Sequence, residues 1–95
     1  MAKITCSIKF LPLVASGTTV YALVDKAIEI IKNSGLRYLV GPSETTVEGE
    51  FEEIVELLKK MGIQMKEDCP RFVLQSSFDV ARDGVTIDEK IKHYR

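Results

Sequence analysis

Residues 40–59, VGPSETTVEGEFEEIVELLK, gather Ser43, Glu44, Thr45, Thr46 and Glu48 around one valine, Val47. Hydroxyls and carboxylates at this density are recognition chemistry. They accept hydrogen bonds from amino groups and pair with cations. Glu48 stands apart because it precedes the helix and belongs to a strand. A carboxylate there accepts hydrogen bonds from an aminopyrimidine or pairs with a ligand cation. Glu50, Glu52 and Glu53 fall at the start of a helix, where the dipole favours negative charge. Glu44 and Glu48 are four residues apart, which on a strand separates them by about 13 Å, too far to share one divalent ion. Tyr38 and Phe51 flank the segment. Both offer aromatic surface to a flat or cationic ligand, and Phe51 also reads as a core residue.

The rest of the chain supplies little for catalysis. His93 lies two residues from the C-terminus and reads as a solvated surface residue. Cys6 alternates with Ile4 and Ile8, the pattern of a small buried hydrophobe. Cys69 stands beside Pro70 with no neighbouring base. The His and Cys residues lack metal-ligand spacing, and GPSETTVEG matches neither a dinucleotide fingerprint nor a P-loop. An acylphosphatase-like hydrolase needs a phosphate-cradling loop with an arginine after the first strand. PLVASGTT brings Gly17 and hydroxyls there, but no arginine.

The elements that must position these residues belong to a chain of 95 residues, 45% hydrophobic and 28% charged, which predicts one soluble domain over 1–95. A net charge of −1 argues against a nucleic-acid partner, which would call for a basic surplus. Apolar runs fall well short of the roughly 20 residues of a membrane span. Lys3, Thr5 and Lys9 interrupt any signal-peptide core, so the expected compartment is the cytosol, with reduced thiols.

KITCSIKFLPL alternates with period two, placing Ile4, Cys6, Ile8 and Phe10 on one face of a strand. Val20, Leu23, Val24, Ala27, Ile28 and Ile31 recur at helical spacing, with Ser16 and Thr18 as candidate N-caps and Gly35 as part of the stop. Two short strands, 36–40 and 44–49, flank Gly41-Pro42. A second helix begins after Gly49, with Phe51, Ile54, Val55, Leu58 and Met61 as its apolar stripe, and runs to about Glu67. RFVLQSSFDV is the last strand, and Thr86 with Glu89 forms a capping box opening a short terminal helix. The order βαββαβ predicts a ferredoxin-like α/β sandwich: an antiparallel sheet, two helices on one face and a short C-terminal helix. Strands one and four are expected among the central strands.

On the face away from the helices, Thr5, Ser7 and Lys9 of the first strand join Thr46 and Glu48. Val73, Gln75, Ser77 and Asp79 of the last strand complete it. This face reads either as a subunit interface or as a hydrogen-bonding site for a small polar ligand, and the two are compatible.

SIKFLPL, GPSETTVEGEFEEIVELLK, RFVLQ and TIDEKIKHYR resemble the small thiamine-binding proteins of the YkoF-like superfamily, over nearly the whole chain. The resemblance implies a ferredoxin-like fold with protomers assembled through their sheets into dimers and tetramers. It also implies binding of thiamine or its hydroxymethylpyrimidine part, with no catalysis and no cofactor beyond that ligand. With a single repeat in this chain, any paired arrangement must come from another subunit. Matching the central block, and adding the polar outer face of the first strand, gives the expected ligand-binding residues Ser7, Lys9, Gly41, Pro42, Ser43, Thr45, Thr46 and Glu48. The alternative is a structural or regulatory oligomeric module without thiamine affinity.

Overall fold

The first strand keeps its alternating register from Ile4 to Phe10 and runs on through Pro12, with a register shift against its neighbour between Pro12 and Val14. In the computed structural model, which describes residues 2–15 and 17–94, β1 spans Ile4–Val14 and lies in the middle of a four-stranded sheet. Its neighbours are β3, Thr45–Gly49, and β4, Arg71–Asp79, while β2, Arg37–Val40, pairs with the far side of β3. Every pairing is antiparallel. The order β2-β3-β1-β4 is the ferredoxin-like one. It corrects one expectation: the central strands are β1 and β3, and β4 is an edge. Each β-α-β crossover skips a strand, so the β2-β3 hairpin enters beside β1 and β4 closes the opposite side.

Both long helices cover one face. α1, Val20–Asn33, buries Leu23, Ala27 and Ile31, while α2, Phe51–Met65, buries Ile54, Leu57, Met61 and Met65. These pack on Ile4, Cys6, Ile8 and Val47 to make the core. The α1 N-cap is Thr19, whose hydroxyl accepts from the Ala22 N–H. It replaces Thr18, and Ser16 lies outside the described residues. The buried stripe of α2 is rotated from the expected one: Leu57 is in the core, whereas Phe51 and Val55 are 51% and 44% exposed. The edge position of β4 explains this, because no further strand lies beneath that flank of α2. Phe51 instead stacks on Phe78 of β4, with centroids 4.8 Å apart. α2 carries Gly62 without a break and ends at Met65.

The short terminal helix α3, Ile87–Ile91, does not extend the helical layer. It crosses the opposite face, over one transverse row of the sheet: Arg37, Glu48, Thr5 and Asp79, paired in register from β2 to β4. Arg37 donates to Asp88 at 2.6 Å, Lys90 pairs with Asp79, and the Glu48 carboxylate accepts from the Ile87 N–H at 2.7 Å. Thr86 caps the helix by accepting from the Glu89 N–H, which is half of the expected capping box; the return bond from the Thr86 N–H to the Glu89 carboxylate is absent among the described residues. Ile87, Thr5 and Glu48 are buried beneath it. The remainder of this face stays open.

Candidate functional site

The polar segment after Gly41-Pro42 is a tight turn between β2 and β3. The Gly41 N–H donates to the Glu44 carbonyl at 2.8 Å and closes residues 41–44 into a loop at the rim of the sheet. Because β3 alternates, the hairpin shows a different set of groups on each side. Thr45 and Val47 face the helices, opposite Ile8 and Cys6, whereas Thr46 and Glu48 face away, opposite Ser7 and Thr5.

On the helix side the turn overhangs a cleft of about 240 Å³. Its floor is Ile8 and Phe10 of β1 with Met61 of α2, and its wall is Val24, Ala27, Ile28 and Ile31 of α1. Gly41, Pro42, Ser43, Glu44 and Thr45 form the rim, beside Val40. Apolar walls with a few polar groups at the mouth are the ordinary composition of a small-molecule site. The volume is below the roughly 300–1,000 Å³ of drug-sized sites, so the cleft suits a ring-sized group better than a nucleotide. Among the described residues, Glu44 is the only ionisable one lining it.

On the open side lie two shallower basins. One is lined by Ser7, Lys9, Gln75, Ser76 and Ser77, with Glu44 at its edge. The other lies between the turn and α3, bordered by Leu39, Thr46 and Ile91. The eight expected ligand-binding residues are thus only partly brought together. Gly41, Pro42 and Ser43 line both the apolar cleft and the open-face basin beside α3, Thr45 lines the cleft, Ser7, Lys9 and Thr46 line the open-face basins, and Glu48 sits under α3 with its carboxylate engaged. Glu44 lines the cleft and both basins, and is absent from the expected set. So are Val24 and Ile28, which share the apolar face of α1 with Ala27 and Ile31 and carry no sequence signal that separates cleft from core. Tyr38 lies on the helix side opposite Val47, and Phe51 follows the far end of β3 from the turn.

Among the described residues, no group of His, Cys, Asp and Glu is placed to hold a metal ion. Both cysteines are free and buried. The Cys69 thiol donates to the Val14 and Arg71 carbonyls. Burial pushes the Cys6 thiol up from 9.0 to about 11, partly offset by a backbone hydrogen bond at Ser77, so it stays protonated at neutral pH. An acid whose pKa is raised by folding contributes stability that is complete below its unfolded value and lost as pH rises through the folded one. Cys6 therefore makes the fold less stable between pH 9 and about 11. Urea denaturation at pH 8 and pH 10.5 is expected to show a fall of about 2 kcal/mol from this group. The fall should be absent from Cys6→Ala, which is compared with wild type to remove other titrations.

Relatives of this chain share its fold. The family model for thiamine-binding protein matches residues 6–95. A UPF0045 protein of Clostridium perfringens is 39% identical over 94 residues, covering 96% of this chain and 98% of the relative. A crystal structure of a Thermotoga maritima protein proposed to act in thiamine biosynthesis or salvage superposes with a TM-score of 0.91 at 46% identity, covering 98% and 99% of the two chains. A Bacillus cereus domain of unknown function gives 0.91 at 35% identity, over 99% and 91%. A designed protein with a ferredoxin fold, only 6% identical, superposes with a TM-score of 0.66 and attests the fold alone. By a family model that matches residues 6–95 and by a relative 39% identical over 94 residues, the chain belongs to the thiamine-binding protein family.

Proposed function

We propose that this protein binds thiamine, or its hydroxymethylpyrimidine part, without transforming it, in the cleft beneath turn 41–44. The observation that carries this reading is the composition of the cleft: an apolar floor for a ring, hydroxyls at Ser43 and Thr45, and one carboxylate, Glu44, at the mouth. A flat heterocycle with an attached cationic ring matches that distribution. Family membership and the thiamine-linked Thermotoga relative support the ligand class.

The open-face residues Ser7, Lys9 and Thr46 have a separate part in this reading. They belong to the surface that packs on a second copy, giving a dimer or tetramer in the cytosol. Turn 41–44 borders that surface as well as the cleft, which makes the site dependent on the oligomer. Isothermal titration with thiamine and with hydroxymethylpyrimidine tests the binding. Saturable heat with a matching thermal shift is expected, and no heat and no shift at millimolar ligand would overturn it. Light scattering tests the assembly, and a monomer would refute that part.

A further inference from the structure

We propose that Glu44 selects the ligand by charge, so that the cleft accepts the unphosphorylated cation and rejects its phosphate esters. This deepens the reading of the cleft as a thiamine site and rests on it. Three observations converge. First, among the described residues no lysine, arginine or histidine lines the cleft, and Glu44 alone supplies charge. Second, the Glu44 carboxylate has no ion-pair partner among the described residues. The cations that do form pairs are committed elsewhere: Lys3 to Glu48, Lys26 to Asp68, Arg37 to Asp88 and Lys90 to Asp79. Third, the charged donors a phosphate would use are missing from the cleft among the described residues. The Gly41 N–H is held by the Glu44 carbonyl, and α1 joins the wall only from Val24, a full turn beyond its first amides.

Phosphate recognition rests chiefly on guanidinium or ammonium groups and helix N-termini. Among the described residues none of these lines the cleft. A ligand ring that fills the floor also strips water from the mouth, which strengthens attraction to a cation and repulsion of an anion there. Lys9 shares the open-face basin with Glu44 but does not line the cleft itself.

The test compares thiamine, thiamine monophosphate, thiamine diphosphate and neutral hydroxymethylpyrimidine by calorimetry, on the full chain and on two variants. Wild type is expected to bind thiamine at least about tenfold more tightly than either ester, equivalent to about 1.4 kcal/mol. Glu44→Gln loses about tenfold for thiamine while leaving the neutral pyrimidine within about twofold, a contrast expected of a lost charge interaction. Glu44→Lys reverses the order of thiamine and its esters. The wild-type preference should also shrink as salt is raised. Equal affinity for thiamine and its diphosphate, or Glu44→Gln binding thiamine like wild type, overturns the charge selection and leaves thiamine binding standing. Wild type that binds no thiamine at all overturns both. Because Glu44 is exposed and in no ion pair, both variants are expected to melt close to wild type, and circular dichroism checks that they fold.

Discussion

Gly41→Ala is expected to abolish most ligand affinity while leaving the sheet and both long helices in place. A Cβ at this position would stand 2.8 Å from the Glu44 carbonyl oxygen, the same atom that accepts the Gly41 N–H. Carbon and oxygen do not approach so closely, and the clash is with backbone, which cannot rotate aside. The turn has to open, and the Gly41–Glu44 hydrogen bond lengthens or breaks. Strain of this kind costs about 1–3 kcal/mol, or roughly 4–8 °C in Tm for each kcal/mol in a domain of this size. The effect on binding is larger, because residues 41–45 form the whole polar rim of the cleft. A displacement of about 1 Å in groups that must meet a ligand simultaneously is expected to cost more than tenfold in affinity. Calorimetry and thermal melts on the same samples separate the two effects. A variant that binds as tightly as wild type would show that the rim does not touch ligand.

Much of this arrangement follows from local pattern. Ile4, Cys6, Ile8 and Phe10 alternate too regularly for anything but a half-covered strand, and Phe72, Leu74 and Phe78 do the same in β4. The face assignments of Ser7, Lys9, Thr46, Gln75 and Ser77 follow once the register is known, since period two leaves only two choices. What was not legible depends on contacts between distant residues. The periodicity of α2 admits Phe51 and Val55 as readily as Leu57, and only the edge position of β4 decides between them. Cleft and core look alike in sequence for the same reason, because Val24 and Ile28 share a helix face with Ala27 and Ile31. In sequence Glu44 is one polar side chain among equals. Its distinction is positional: it lines the cleft and both open-face basins.

Glu48 shows how far that positional information reaches. Composition made it the residue expected to meet a ligand, yet its carboxylate is 8% exposed and accepts the Ile87 N–H at 2.7 Å, with Lys3 4.0 Å away. It ties β3 to the first turn of α3, across 39 positions of sequence. Glu48→Ala is therefore expected to destabilise the fold by about 1.5–3 kcal/mol, the usual worth of a hydrogen bond to a charged group. A helix of five residues has no stability of its own, so losing this anchor leaves Ile87 and the two flanking ion pairs to hold it. Hydrogen exchange should then rise selectively in residues 85–91. Glu48→Gln keeps an acceptor and is expected to recover more than half of the loss. Thiamine affinity should change little in either variant, because Glu48 faces away from the cleft, behind β3. A Glu48→Ala protein that keeps wild-type stability but loses thiamine would place the ligand on the open face, against α3, and move the site to the other side of the sheet.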